Sequence, residues 1–314
     1  MIQRSAKHRA RGAGAILLYH RLTTDRRDQL DLTVTASDFE SHMECLQREY
    51  PVMSARELAQ KARQGEIVDP TVALTFDDGY VDALTVASTI LSDFGFPATF
   101  FIVSRALTHP GEFWWDTLDR VFLGERALPD VFRVELTNAR FELATSTHRE
   151  RHTAHALLGN QLRVFQQPER DRLIGELVRW SKHELEGQPL SQAMTGSQVL
   201  QLAAQEGVEV GSHTENHLWL PSQPPDVQLG EVHNSKVVLE RLLGRSVTTF
   251  AYPFGGHDPA SVNCVRQAGY QVAMTVDPGV VTESVDLWCV PRNEIRACDG
   301  KTFGSRLRQI FETS

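Results

Sequence analysis

The chain has 314 residues, of which 41% are hydrophobic and 23% are charged, and its formal net charge is −8. This composition is typical of a soluble globular protein with one large α/β domain or two smaller ones, and it excludes a mainly disordered chain. The acidic balance also disfavours a general nucleic-acid binder, because phosphate recognition relies on clustered Lys and Arg.

The N-terminal segment is basic and then briefly apolar, which is a pattern shared with secretion signals. The apolar stretch from Ala13 to Tyr19 contains Gly14, runs directly into His20 and Arg21, and has no small-residue cleavage site after it. We therefore interpret it as a β-strand. Because no stretch approaches the roughly 18 apolar residues of a membrane span and the four cysteines form no CxxC pair, we expect a cytoplasmic protein with reduced thiols and no integral membrane segment.

Beyond this first strand, strands alternate with helices along most of the chain. The predicted strands are 15–19, 71–76, 97–103, 207–212, 248–255, 270–276 and 287–295. The predicted helices are 37–49, opened by Ser37, then 54–63, 82–94, 197–205, 232–244 and 262–269. This alternation predicts a mostly parallel sheet covered by helices, either open or closed into a barrel, with ligands bound at the carboxyl ends of the strands.

Residues 104–195 interrupt the alternation. They contain FWWD at 113–116, a β-like segment at 133–145, and a long polar stretch that is typical of two helices. We interpret 104–195 as an insertion that forms a lid or small subdomain. The barrel is assigned to 13–103 and 196–300, and the terminal extensions are 1–12 and 301–314.

Polar residues follow two of the predicted strands and are expected to meet at one edge of the sheet. Asp77 and Asp78 end one strand, and His213 and His217 follow another. On a helical turn, a spacing of four would point both imidazoles the same way, and with one carboxylate they suit a single metal ion. An HxxxH spacing or an Asp-Asp-Gly sequence alone is usually a structural feature without a functional role. Together, the two predict a metal site with a neighbouring carboxylate free to act as a general base.

Three motifs resemble those of the polysaccharide deacetylases, the NodB-like carbohydrate esterases of family 4. They are TFDDG at 75–79, HTENH at 213–217 and YPFG at 252–255, and the resemblance covers the barrel but not the insertion. It implies a distorted (β/α) barrel of about seven parallel strands. It also implies a divalent metal, most often Zn²⁺ with Co²⁺, Ni²⁺ or Mn²⁺ as alternatives, and hydrolysis of an N-acetyl group on an amino sugar with release of acetate.

The same resemblance assigns roles to the residues of the first two motifs. Asp77 is the implied general base, and Asp78, His213 and His217 are the implied metal ligands.

The third motif is similar to the strip that binds the acetyl group and helps to stabilise the oxyanion in this family. Its residues here are Tyr252, Pro253, Phe254 and Gly255. Trp288, near the expected fourth motif, is a candidate for an apolar wall of the substrate site, with a core residue as the alternative.

The sequence departs from the family pattern at two positions. The third motif lacks the Arg that pairs with the base in many members, and Arg292 is the candidate replacement, with a surface residue as the alternative. The late Leu-x-His motif is also absent, since no His follows His257. His20 resembles the Tyr-His near the start of the circularly permuted poly-N-acetylglucosamine deacetylase branch, which implies a general acid, with a structural His as the alternative.

The expected substrate is a small or lipid-linked saccharide that contains an amino sugar and is met in the cytoplasm. Trp114 and Trp115 of FWWD either form an aromatic platform for a sugar ring or anchor the insertion on the barrel. Two other functions remain open from the sequence: hydrolysis of a non-sugar amide, such as a formamide or cyclic ureide, and carbohydrate binding by a catalytically silent barrel.

Overall fold

The computed structural model describes residues 12–23, 32–136, 140–182 and 192–312. The strands of this part of the chain are β1 (Gly14–Tyr19), β2 (Arg21–Leu22), β3 (Thr33–Val34), β4 (Thr71–Phe76), β5 (Ala98–Ile102), β6 (Val131–Glu135), β7 (Arg140–Ala144), β8 (Val208–Ser212), β9 (Thr249–Ala251), β10 (Val272–Met274) and β11 (Asn293–Glu294). Seven of them form one sheet, in the spatial order β10-β9-β8-β5-β4-β1-β11. Every pairing within this sheet is parallel.

The helices of the described part of the chain are α1 (Ala36–Glu49), α2 (Ala55–Arg63), α3 (Ser88–Phe94), α4 (Trp114–Phe122), α5 (His148–Val164), α6 (Gln167–Ser181), α7 (Gly196–Ala203), α8 (Pro225–Leu243), α9 (Pro259–Gln267) and α10 (Gly300–Glu312). Some of these helices pack around the sheet, and α4, α5 and α6 belong to the inserted segment. The helix predicted over 82–94 is a π-helical turn, Ala83–Ala87, that continues into α3. Helix α1 begins at Ala36 rather than at Ser37, because the Thr35 side chain accepts the Asp38 N–H and acts as the N-cap.

The predicted α/β fold with about seven parallel strands is confirmed. Every residue of β1, β4 and β5 is buried, which explains why these strands appear in the sequence as continuous apolar runs. One short segment curls the sheet into a barrel-like shape, because Val290 bridges to Met274 of β10 while β11 pairs with Leu17 and Leu18 of β1. The N-terminal strand thus lies within the sheet, beside the last strand.

The last three strands of the sheet are shorter than predicted, and the backbone explains this for β9 and β11. After Ala251, the chain enters a 3-10 turn in which Phe254 and Gly255 have φ of 55° and 69°. Such left-handed residues cannot continue a strand. Pro291 precedes β11, and proline supplies no N–H to a sheet ladder.

The insertion has a hydrophobic cluster of its own, which includes Phe122, Phe132, Leu158 and Leu173. Its two ends meet beside the barrel, where Gln192 bridges to Glu112 and Ala193 bridges to Tyr80. Tyr80 lies two residues after Asp78, so the insertion is attached beside the turn that carries these acids.

Of the two predicted terminal extensions, the structure describes most of the C-terminal one but almost none of the N-terminal one. Residues 1–11 lie outside the described part, whereas 301–312 belong to α10. This helix places Phe303, Leu307 and Phe311 in the core cluster next to α1. All four cysteines are free thiols, and within the described ranges no helix is long and apolar enough to cross a membrane.

Candidate active site

The acidic pair lies on a tight turn at the carboxyl end of β4. Asp77 and Asp78 are 3% and 6% exposed. Asp78 and Gly79 both have left-handed φ, of 71° and 83°, and the Gly79 N–H donates to the Asp77 carbonyl at 2.9 Å. A Cβ atom at Gly79 would lie 2.9 Å from the Ile102 side chain, so both its φ and its surroundings require glycine. The turn holds two adjacent carboxylates in a buried position.

The two histidines are presented by an irregular loop after β8. The interpretation of this spacing as a helical turn is wrong, because Thr214 and His217 have φ of 65° and 54°. The Thr214 hydroxyl accepts the His217 N–H at 2.9 Å and thereby fixes the loop. The imidazoles of His213 and His217 still come together, with ring centroids 4.8 Å apart.

Three side chains converge as a possible ligand set for one metal ion. The Asp78 Oδ1 atom lies 3.6 Å from His213 Nε2 and 3.3 Å from His217 Nε2. One donor atom from each residue lies within 4.8 Å of the others, and all three residues are buried. Two imidazoles and one carboxylate suit a divalent transition metal.

The hydrogen bonds of His213 fit a cation at this position. Its Nδ1 lies 2.8 Å from the Ala251 carbonyl, which only accepts, so in the neutral ring the proton is assigned to Nδ1. The unprotonated Nε2 then faces Asp78 at 3.6 Å and Asp77 at 3.7 Å. Three acceptors facing one another repel unless a cation lies among them. A carbonyl behind the ligand nitrogen is also the usual second-shell partner of a metal-binding histidine.

His217 is suited to the same role. Burial lowers its pKa to about 4, more than the hydrogen bond to Asp78 raises it, so the ring is neutral at pH 7. Its Nδ1 is buried and has no partner among the described residues. A neutral, desolvated imidazole is the form that binds a metal.

Asp77 forms a buried ion pair with Arg292. The Nη1 and Nη2 atoms of Arg292 donate to the two Asp77 carboxylate oxygens, each at 2.7 Å. Arg292 is fully buried and its Nε also donates to the Thr275 carbonyl at 2.8 Å, so it is not a surface residue. Burial is the largest single effect and alone would raise the pKa of Asp77, but the charge and hydrogen bonds of Arg292, together with the nearby His213 and His20, outweigh it and hold the pKa below its usual range.

His20 lies beside the acidic pair. It directly follows β1, whose last residue, Tyr19, accepts the Asp77 N–H at 3.0 Å. The ring is partly buried and lines a cavity of about 580 Å³ together with Asp77, Asp78 and both histidines.

Only one of the other predicted substrate residues lines the cavity. Phe254 lines the cavity, whereas Tyr252, Pro253, Gly255 and Trp288 are not among its lining residues. The Tyr252 hydroxyl donates to the Trp288 carbonyl, and the guanidinium of Arg266 covers the Trp288 ring at 4.3 Å. The Tyr252 N–H donates to Met274 in the sheet, so an oxyanion at this loop would have to share that donor.

The structure adds an aromatic and acidic wall that the sequence motifs did not specify. The Trp115 indole N–H donates to the Tyr80 hydroxyl at 2.6 Å, and that hydroxyl donates to Asp116 at 2.7 Å. Asp116 also accepts from Arg21 at 3.2 Å, and the Trp115 ring lies 4.7 Å from that of His217. FWWD therefore anchors the insertion and also lines the cavity, and its role as a platform for a sugar ring stays a prediction.

Backbone strain is concentrated at this site. Of the five non-glycine residues with positive φ in the described part of the chain, all but Lys182 lie at the site: Asp78, Thr214, His217 and Phe254. Such conformations cost about 1–3 kcal/mol each and persist where the surrounding structure enforces them, often at functional sites.

Arg170 of the insertion contacts the loop that carries His217. It is 2% exposed, and its Nη1 donates to the Asn216 carbonyl at 2.8 Å and the His217 carbonyl at 3.4 Å. Glu231 accepts from the Asn216 backbone and side chain, so the loop is held from two directions. No sequence motif signals Arg170, because the contact joins elements far apart in the chain.

Replacing Arg170 by Met should weaken metal binding about 10- to 100-fold, the usual effect of losing a group that orients a ligand. The measurement is a calorimetric titration of metal-free protein with Zn²⁺. Arg172→Met, two residues away on the same helix and exposed, is the matched control and should bind like the wild type. Unchanged Zn²⁺ affinity in a folded Arg170→Met protein would contradict this positioning role.

The fold and the site together define a barrel-like protein with its functional residues at the carboxyl ends of the strands. These residues are a buried Asp–Arg pair and a possible His₂Asp metal site, an arrangement suited to metal-assisted hydrolysis. A family model described as polysaccharide deacetylase matches residues 64–163 and 178–273, which is more than half of the chain. The chain belongs to this family. Membership supports a hydrolase that removes acetyl groups from a polysaccharide.

Individual relatives share little sequence identity with the chain, but the similarity extends over most of its length. The chain is 21% identical over 298 residues to "Putative polysaccharide deacetylase YxkH" of Bacillus subtilis, covering 94% of this chain and 76% of the relative. Among solved structures, it is similar to the Streptococcus pyogenes deacetylase PplD in complex with acetate, with a TM-score of 0.62, 18% identity and coverage of 96% and 98% of the two chains. IcaB from Ammonifex degensii gives a TM-score of 0.60, 16% identity and coverage of 96% and 97%. These structural likenesses establish the shared fold.

Proposed function

We propose that the protein hydrolyses the N-acetyl group of an amino sugar within a small or lipid-linked saccharide and releases acetate, using one divalent metal ion. The observation that carries this proposal is the convergence of Asp78, His213 and His217 beside a buried Asp77–Arg292 pair. Family membership supplies the reaction class.

Each of these side chains has a role in the proposed reaction. Asp78, His213 and His217 would hold the ion, which when bound polarises the acetamide carbonyl and lowers the pKa of water. Asp77 is the proposed base that accepts the proton of the attacking water, and Arg292 keeps its carboxylate charged and oriented. His20, which lines the cavity together with Asp77, is the proposed acid that protonates the departing nitrogen.

The walls of the cavity fit a sugar substrate. Phe254 and Trp115 present apolar surface beside His217, and apolar rings favour the face of a sugar and the methyl of an acetyl group. Zn²⁺ is the proposed ion, with Co²⁺, Ni²⁺ and Mn²⁺ as alternatives, because a His₂Asp set accepts several divalent metals.

The test combines metal removal with a substrate panel. Protein stripped by a chelator should lose turnover of N-acetylated chitooligosaccharides, and one equivalent of Zn²⁺, Co²⁺, Ni²⁺ or Mn²⁺ should restore it. Acetate and free amine are both measured, so that their equal release identifies N-deacetylation.

The same panel separates the other candidate functions. Turnover of formamides or cyclic ureides without turnover of N-acetylated sugars would assign a different amide hydrolase. Saccharide binding without acetate release at any metal content would identify a silent binding barrel. Undiminished activity in stripped protein would refute the metal requirement.

A further inference from the structure

One helix of the insertion lines part of the cavity. His155, Ala156, Gly159, Asn160 and Arg163 of α5 all line it, at the spacing of one helix face. We call this face the α5 wall. None of its residues lies in the motifs that define the metal centre.

Arg163 is bound to the barrel through aromatic rings. Its guanidinium carbon lies 4.2 Å from the centre of the Phe254 ring and 4.5 Å from that of Trp219. The Phe254 ring in turn packs edge to face on His217 at 4.5 Å. One aromatic ring therefore separates the Arg163 charge from a proposed metal ligand.

Arg163 also differs from the other arginines of the cavity in its charge partners. Arg21 pairs with Asp116 at 3.2 Å, and Arg296 pairs with Glu294 at 3.0 Å. Within the described ranges, the Arg163 guanidinium has no carboxylate within 4.0 Å and no side-chain hydrogen bond, although the side chain is partly buried. Burial lowers the pKa of Arg163, and no acidic neighbour raises it. Burial also lowers the pKa of Arg170, but there Glu231 and Asp171 partly offset the effect.

A guanidinium stacked on rings presents a fixed fork of N–H donors that matches planar oxygen anions. Partial burial of a cation is costly unless a counter-charge arrives. One helical turn before Arg163, Gly159 also lines the cavity and leaves room for such a counter-charge. A Cβ atom at Gly159 would meet nothing closer than 3.8 Å. Packing therefore does not require glycine in the middle of this helix.

We propose that the α5 wall is a subsite for an anionic oxygen group, a phosphate or carboxylate, carried by the saccharide substrate, and that Arg163 binds this group. The inference rests on the proposed function for the position of the sugar at the metal centre. The substrate class is thereby narrowed from amino sugars in general to anionic amino-sugar saccharides.

The test is calorimetric binding to zinc-loaded protein with three ligands: methyl N-acetylglucosaminide, N-acetylglucosamine 1-phosphate and N-acetylmuramic acid. The wild type should bind at least one anionic ligand about 10- to 100-fold more tightly than the neutral one, the usual effect of a charge-assisted hydrogen bond. Arg163→Met keeps an apolar stem on the rings and should remove this preference without weakening the neutral ligand. Arg149→Met, exposed at the start of the same helix, should retain the preference.

Each outcome decides the proposal. Tighter binding of the 1-phosphate alone assigns a sugar phosphate, and tighter binding of the muramic acid alone assigns a sugar carboxylate. Equal binding of all three ligands by the wild type, or a preference that survives in Arg163→Met, overturns it. An equal loss for all ligands in Arg163→Met would show that Arg163 only holds α5 against the barrel.

Failure of the proposed hydrolysis is a separate result. Acetate release from the neutral glycoside and from chitooligosaccharides by the wild-type protein tests the reaction itself. The difference in binding between the wild type and Arg163→Met tests the anion subsite whether or not acetate is released.

Discussion

Replacement of Asp77 by Asn is expected to lower the turnover number of deacetylation by about 10²–10⁴-fold, the usual loss when a general base is removed. Asn has the same shape but does not take a proton from water. The three converging donor atoms belong to other residues, so the metal content should stay at one ion per chain. Acetate release and metal analysis of the same sample measure both quantities.

Asp93→Asn, on the exposed face of α3, is the control for the chemical change and should behave like the wild type. Asp77→Asn also leaves Arg292 without its bidentate partner, so folding must be verified by circular dichroism before rates are compared. Wild-type turnover in the folded variant would rule out Asp77 as the base. Loss of the bound ion would instead make Asp77 part of the ligand set.

Replacement of Arg292 by Met is expected to lower the free energy of unfolding by about 3–5 kcal/mol, because the buried Asp77 carboxylate loses its counter-charge. Arg292 is 0% exposed and Asp77 only 3% exposed, so water does not replace the lost hydrogen bonds. Turnover should fall as well, since the base loses the group that orients it. Chemical denaturation of metal-free protein measures the change in stability.

The double variant Asp77→Asn/Arg292→Met separates the pair from the packing around it. With both charges removed, no uncompensated buried charge remains, so the double variant should be more stable than Arg292→Met although it stays inactive. Arg266→Met, which removes an exposed arginine outside the cavity, should change neither stability nor turnover appreciably. Strictly additive losses in the double variant would mean that the two side chains do not stabilise each other.

The long buried strands were predictable because their apolar runs are local signals. β1, β4 and β5 are buried at every residue, and the structure places them where the alternation predicts. The lengths of the short strands β9, β10 and β11 were overestimated; left-handed residues follow β9, and Pro291 precedes β11. Apolar composition alone does not record where the backbone leaves a sheet.

The positions of Asp77, Asp78, His213 and His217 at one edge of the sheet follow from the sequence. Each pair directly follows a predicted parallel strand, and the carboxyl ends of such strands lie together. Their local geometry did not follow from it, because the histidine spacing suggested a helical turn and the loop contains left-handed residues instead. A helical turn and this irregular loop both bring side chains four residues apart close to each other.

The sequence by itself determined the fold class, the family and the candidate metal ligands, because these depend on local periodicity and on short motifs. Only the tertiary structure joined Arg292 to Asp77, Arg170 to the His217 loop and Arg163 to the Phe254 ring. Those contacts join residues that no local pattern connects. They depend on how the insertion and the last strand pack against the barrel, which is decided by burial and shape across the whole chain.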